Sequence, residues 1–163
     1  MESTGTTTSS ESSPRNYIAT ATVDDMHILS QMGGVFANLY GASLMKFDPT
    51  IFRKKMTLFM SQGLGIVLTA KEDFELKGAI AGLAYENVFD GAMCATELFW
   101  YVWPGAQKGT GARLLEAFED WAKFRKCTRV TMALMRHNEA ERLDGFYTKN
   151  GYQAFETHYV KLI

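Results

Sequence analysis

Residues 94–115, CATELFWYVWPGAQKGTGARLL, constrain the fold more than any other stretch of this chain. The stretch begins as an apolar run of aromatic and β-branched residues, the composition of a buried strand. Pro104 and Gly105 end the run, Gly109 and Gly111 follow in a short loop, and the sequence then turns helical at once. A strand, a glycine-bearing loop and a helix N-terminus together make an anion site. The first N–H groups of the helix lack internal partners, and the positive end of its dipole faces the loop. Glycine at 109 and 111 lets the main chain approach a phosphate with no side chain between them. The stretch predicts a pyrophosphate grip, with a plain strand–helix turn as the alternative.

Two common phosphate motifs do not fit. The dinucleotide fingerprint G-x-G-x-x-G needs a third glycine where the chain has Leu114. The Walker A pattern fails as well, because Thr110 stands where a second glycine would follow Gly105.

A chain of 163 residues suits one domain with its own core. Its 47% hydrophobic and 13% aromatic content exclude a disordered polymer. Residues 1–15 are the exception: Ser, Thr and Glu dominate, so they are expected to form a mobile tail ahead of a single domain over 16–163. A net charge of −1 argues against a general nucleic-acid or membrane-surface binder. No apolar run approaches the ~20 residues of a membrane span, and no secretory leader precedes the first apolar segment. Cys94 and Cys127 fall in expected strands without C-x-x-C spacing, which predicts reduced thiols and an intracellular setting. His27, His137 and His158 form no metal-ligand pattern, so no metal is expected.

Periodicity sets the order of elements as β-α-α-β-β-β-α-β-α-β. A strand over 16–23 precedes a helix capped by Asp24 or Asp25, with Met26, Leu29, Gly33, Phe36 and Tyr40 on one face and Leu39 beside them. Asp48-Pro49 opens a second helix whose apolar side is Ile51, Phe52, Met56, Phe59 and Met60. Strands over 64–71, 76–88 and 94–102 form an antiparallel meander, with a hairpin signal at Asp90-Gly91. Leu114, Leu115, Phe118, Trp121 and Ala122 define a helix over about 111–125. A strand over 127–135 completes a βαβ unit, so it runs parallel to 94–102. A helix over 139–149 stops at Gly151, and 152–162 supplies one or two last strands.

The loop AQKGTG resembles motif A of the GNAT superfamily of acetyl-CoA-dependent N-acetyltransferases, [RQ]-x-x-G-x-[GA], with Gln107 one place nearer Gly109 than the pattern asks. Asn138-Glu139-Ala140 followed by GFYTKNGY over 145–152 is similar to the family's N-x-x-A…(F/L)YxKxGF signature, with Ala140 one place early. These motifs and their flanks span 94–163. The N-terminal half matches in its order of elements, and the final stretch also resembles small bacteriophage-encoded members.

The resemblance implies a mixed α/β (α+β) fold. A twisted, mostly antiparallel central sheet of about six or seven strands would be flanked by about four helices and would contain a splayed parallel pair. It implies transfer of an acetyl group from acetyl-CoA to a primary amine of a small molecule or protein, by direct attack in a ternary complex. The amides of Tyr101, Val102 and Trp103 would hold the pantetheine arm and thioester oxygen. Gln107 and the amides of Lys108, Gly109, Thr110, Gly111 and Ala112 would hold the pyrophosphate.

Asn138 would bind the pantetheine, although a helix N-cap explains it equally well. Tyr147 would lie at the cofactor and act as the general acid, with a core aromatic as the alternative. Glu97 matches the base of the histone-acetylating branch. Burial among Leu98, Phe99 and Trp100 would raise its pKa toward neutrality, whereas strand alternation could instead turn it to solvent. Glu86, Asp90 or a chain of waters are the other candidates for the base. The resemblance also implies a cytoplasmic protein, in the host cytoplasm for a phage-encoded one, and a homodimer. Two rival functions remain open at this point. One is a non-catalytic CoA-binding or protein-interaction module; the other is an acetyltransferase acting on tRNA or a modified base, which near-neutral charge disfavours.

Overall fold

The computed structural model describes residues 16–41, 44–135 and 140–163. The expected tail over 1–15, His137 and Asn138 lie outside these. Among the described residues the order is β1 (Asn16–Thr20), α1 (Met26–Gly41), α2 (Pro49–Ser61), β2 (Gly65–Glu72), β3 (Glu75–Glu86), β4 (Met93–Val102), α3 (Thr110–Phe124), β5 (Arg129–Thr131) and α4 (Ala140–Lys149). The strands lie side by side in chain order. Pairings β1–β2, β2–β3 and β3–β4 are antiparallel, and β4–β5 is parallel, as a crossover through α3 requires.

Strand alternation gives the sheet two apolar faces, each covered by helices. On one, Val67, Ala79, Ala81, Phe99 and Tyr101 meet Met26, Leu29 and Met32 of α1 and Met56 of α2. On the other, Leu68, Ala70, Ile80 and Ala95 meet Leu114, Phe118 and Ala122 of α3. Small residues on β3 let α3 sit close: a Cβ at Gly82 would fall 2.4 Å from the Phe118 ring. Asp48 fixes the start of α2 by accepting from the amides of Thr50 at 2.8 Å and Ile51 at 3.0 Å. The expected faces hold at Met26, Leu29 and Phe36 of α1 and at Phe52, Met56, Phe59 and Met60 of α2, with three residues changed. Met32 is fully buried on α1, whereas Leu39 (59% exposed) and Ile51 (58% exposed) point outward.

Among the described residues the sheet has five strands where about six or seven were expected. The stretch 152–162 has the apolar content of a strand but forms no ladder, and Phe155, Tyr159, Val160 and Leu162 are exposed. A strand needs a free edge in register as well as a pattern. The other shortfall, in β5, shapes the site. Its ladder covers three residues of the expected 127–135, and the chain then leaves β4.

β4 itself is irregular. Ala81 pairs with Phe99 and Gly82 with Glu97, so Leu98 is an extra residue in a bulge. The bulge reverses the alternation, so that Ala95 belongs to the α3 side and Phe99 to the α1 and α2 side.

Candidate active site

The last rung of the parallel ladder pairs Thr96 with Thr131. Beyond it the bulge turns β4 one way and β5 departs the other way, opening a cleft of about 440 Å³. That is the size of a site for a small organic ligand. The walls come from Phe36 of α1, from β4 between Glu97 and Val102, from Ala133 and Met135, and from α4 residues including Phe146 and Tyr147. The loop before α3 closes one end.

Gly109 holds that loop in shape. It is the N-cap of α3 with φ +89°, a left-handed conformation that side chains resist, and no side chain caps the helix. Thr110 is buried, and both its groups turn inward. Its N–H donates to the Gln107 carbonyl at 3.1 Å and its hydroxyl to the same carbonyl at 2.8 Å, while Arg113 donates to that hydroxyl at 3.2 Å. The Thr110 amide is therefore already used, which corrects its expected part in an anion cradle. The amides of Lys108, Gly109, Gly111 and Ala112 have no acceptor among the described residues. Gly111 is needed for a different reason, because a Cβ there would stand 3.3 Å from the Trp100 ring.

Gln107 anchors the loop from behind. Its amide donates to Glu72 at 2.7 Å, and its side-chain oxygen accepts from Asn16. The loop is thus tied to β1 and β2, and the Gln107 side chain is held by Asn16 although the residue still borders the cleft.

The main-chain donors of β4 also differ from expectation. Trp103 donates to the Lys77 carbonyl at 2.8 Å, so its amide belongs to the β3 ladder. The two-residue period of an antiparallel pair turns the Tyr101 amide to the same side. The intervening groups, those of Val102 and Trp100, face the split instead. Of the three expected donors only Val102 is directed into the cleft, and Trp100 joins it.

Trp100 was not among the expected site residues. Its indole Nε1 is buried with no hydrogen-bond partner among the described residues. The ring packs on α4, with centroids 6.0 Å from Phe146 and 6.1 Å from Tyr147. Its spacing of two from Val102 was the available signal, since residues two apart on a strand share a face.

Glu97 lies half-buried in the wall of the cleft. Its carboxylate accepts from the Ala133 amide at 3.1 Å. Burial pushes the carboxyl pKa up to about 7, with the Ala133 hydrogen bond pulling the other way. Tyr147, buried on α4, donates its hydroxyl to the Ala133 carbonyl at 3.1 Å. Burial raises the phenol pKa well above its usual value, and the Glu97 charge adds to the rise.

The structure therefore brings Glu97, Trp100, Val102, Tyr147 and the loop amides to one cleft. Glu86 and Asp90 do not line it. Asp90 caps the β3–β4 turn, accepting from the Ala92 amide and pairing with Arg129. Among the described residues no group of three or more His, Cys, Asp or Glu could hold a metal ion.

Residues 37–152 match the model of the acetyltransferase (GNAT) family. Comparison with curated protein sequences returned no match. Solved structures resemble the whole fold. A ribosomal-protein-alanine N-acetyltransferase from Brucella melitensis superposes with a TM-score of 0.70 at 18% identity, over 91% of this chain and 99% of that one. A transcriptional regulator from Bacillus halodurans gives a TM-score of 0.76 at 16% identity, over 91% and 100%. A predicted acetyltransferase from Clostridium acetobutylicum, solved with acetyl-CoA, gives 0.73 at 13% identity, over 91% and 96%. At these identities the likeness speaks for the fold. The family match covers the split strands, the glycine loop and the α4 tyrosine together, and on it this chain belongs to the GNAT family of acetyltransferases.

Proposed function

We propose that the protein is an N-acetyltransferase that moves the acetyl group of acetyl-CoA to a primary amine while both substrates are bound. One observation carries this reading. The amides of Gly109, Gly111 and Ala112, which have no acceptor among the described residues, close one end of a cleft whose wall holds Glu97 and Tyr147, with the Lys108 amide next to them in the chain. The residues fit the cosubstrate. Free amides at a helix N-terminus suit a diphosphate, and the main-chain groups of Val102 suit the amide-bearing pantetheine arm. The unpaired Trp100 indole is one more donor beside that path. Lys108 and Arg113 bring positive charge to the loop.

Acetyl-CoA supplies an acetyl group activated as a thioester. Glu97 takes the proton that an ammonium must lose before its nitrogen can attack. A carboxyl pKa raised to about 7 by burial makes it a base matched to neutral pH. Tyr147 delivers its hydroxyl proton to the departing sulfur, releasing the Ala133 carbonyl as it does so. Burial keeps that phenol protonated, as an acid must be before it acts. The new nitrogen–carbon bond forms as the carbon–sulfur bond breaks; the second proton shed by the acylated nitrogen restores the Tyr147 hydroxyl that protonated the sulfur, and Glu97 passes its proton to solvent, so one proton is released per turnover. The acceptor is a small-molecule or protein amine.

The free thiols of Cys94 and Cys127 agree with a reducing compartment, the cytoplasm, which would be the host's for a phage-encoded protein. A homodimer is the proposed assembly. No helix among the described residues is long and apolar enough to cross a membrane.

Calorimetric titration with acetyl-CoA, followed by a thiol-release assay over a panel of primary amines, tests the reading. Binding, with thiol release only when an amine is present, is the expected result. Absence of binding at millimolar acetyl-CoA overturns the cradle. Binding without release from any amine would point to a CoA-binding module.

A further inference from the structure

Glu97 occupies a place in the sheet that a main-chain group would fill if the ladder continued. The parallel pairing stops at Thr96 and Thr131. Two residues later the Ala133 N–H, which would bond to β4 main chain in a longer ladder, donates to the Glu97 side chain at 3.1 Å. Across the same residue the Ala133 carbonyl accepts from Tyr147 at 3.1 Å. Both polar groups of Ala133 are thus taken by side chains, one from β4 and one from α4, and neither is left to pair with β4.

We propose that Glu97 is a positioning residue as well as the base: its carboxylate caps the end of the β4–β5 ladder and holds the strands apart, keeping the cleft shaped for acyl-CoA. This deepens the acetyltransferase reading and rests on it.

The physical need for such a cap is plain. Parallel strands zip as long as each offers the other unpaired N–H and C=O groups. Trp100 and Val102 offer such groups on β4, and residues beyond Thr131 offer them on the facing chain. If the two sets paired, the main-chain groups that face the cleft would be consumed and the opening lost. The Leu98 bulge puts β4 out of step with its partner. A bulge alone leaves the Ala133 amide looking for an acceptor. The Glu97 carboxylate supplies one from the side, and a charge-assisted hydrogen bond is stronger than the ladder bond it replaces. Tyr147 then fixes the carbonyl end of the same residue. Ala133 itself borders the cleft, so its position sets the width of the opening.

Accepting a hydrogen bond and accepting a proton are separable tasks. Glutamine keeps an oxygen that can cap Ala133 but cannot serve as a base, and alanine can do neither. The test therefore compares Glu97→Gln with Glu97→Ala in the full chain, using CoA affinity by calorimetry and amide hydrogen exchange at Ala133 without ligand.

Glu97→Gln is expected to bind CoA within about twofold of the parent and to keep Ala133 protected, while losing turnover. Glu97→Ala is expected to bind CoA about tenfold more weakly, since the open cleft is no longer the dominant state. Its Ala133 amide should exchange faster. Tyr147→Phe, which removes the other hold on Ala133, should leave the amide exchange intermediate between the two and guards against misfolding of Glu97→Ala. Equal Ala133 exchange in the parent and Glu97→Ala, or equal CoA affinity in both, would overturn the capping role. If the parent binds no CoA, the acetyltransferase reading falls instead, and hydrogen exchange in the free protein still decides the cap.

Discussion

Glu97 and Tyr147 hold opposite ends of one residue: the Ala133 amide donates to the Glu97 carboxylate and the Ala133 carbonyl accepts the Tyr147 hydroxyl, both at 3.1 Å. Glu97 comes from the bulge in β4 and Tyr147 from α4, so Ala133 links two elements far apart in sequence. The linkage is also electrostatic, because charge on Glu97 helps to keep the Tyr147 phenol protonated. A base that is charged and an acid that is neutral are the states each role requires. Burial favours the neutral acid at Tyr147 and opposes the charged base at Glu97, and the Ala133 amide offsets part of that opposition.

The pH dependence of turnover follows from Glu97. Its carboxyl is pushed up to about 7 by burial, so it is protonated below neutrality and cannot take a proton from the amine. With a pre-formed ammonium substrate, kcat/KM should rise through about pH 7 as the carboxylate forms. Glu97→Gln should lose that limb and fall roughly 100-fold at neutral pH. Initial rates over about pH 5.5 to 9 measure it. An unchanged profile in the variant excludes Glu97 as the base.

Stability should respond to the same group with the opposite sign. The folded state binds the Glu97 proton more tightly than the unfolded chain, whose carboxyl stays near its ordinary value of 4.5. Between those two values the folded protein retains a proton that the unfolded chain has lost, so stability falls as pH rises through the window and levels off above about 7. The full penalty is on the order of 3 kcal/mol. Glu97→Gln, which cannot ionise, should therefore match the parent in acid and exceed it in stability near pH 8. Urea unfolding at the two pH values checks this.

Tyr147→Phe separates chemistry from binding. The ring would keep its place beside Trp100 and Tyr152, where the ring centroids are 6.1 and 5.5 Å away. Only the hydroxyl and its bond to Ala133 are lost. The expected result is a 10- to 100-fold fall in kcat, on the order of one general-acid contribution, with CoA affinity changed by a few fold at most. Stopped-flow thiol release with calorimetry reads both numbers. Unchanged kcat would remove the acid role.

Sequence pattern and packing divide the fold between them in a physically sensible way. The α3 helix was legible nearly to the residue, because Leu114, Leu115, Phe118 and Ala122 repeat at helical spacing and are all buried. Glu97 was legible as an ionisable group inside an apolar strand. What it touches was not, because the bulge at Leu98 depends on how β3 and β4 settle into register. Which β4 amides face the cleft depends on the same register, and pattern alone does not show that Val102 and Trp100 turn that way while Tyr101 and Trp103 turn to β3. Strand content over 152–162 was read from pattern alone, which carries no information about an available edge. The split itself leaves no local trace, since 127–135 keeps a strand-like composition to its end yet only Arg129–Thr131 pairs with β4.

Replacing Gly109 and Gly111 by alanine should give two different failures. At Gly109 the φ of +89° is the obstacle, because an added Cβ would meet nothing within 4 Å. Gly109→Ala must either hold a strained backbone, at about 1 kcal/mol or more, or rotate the loop and swing its free amides away from the cradle. Both lower the melting temperature of the free protein, and the second also shrinks the rise that acetyl-CoA produces by binding only the folded form. At Gly111 the backbone is helical and the obstacle is the Trp100 ring, 3.3 Å from the new Cβ. Gly111→Ala should therefore move Trp100 and change its fluorescence while leaving the Lys108 and Gly109 amides in place. Thermal melts of both variants over a range of acetyl-CoA concentrations distinguish the two. A Gly109→Ala protein with the parent's ligand-induced rise would show that these amides do not form the cradle.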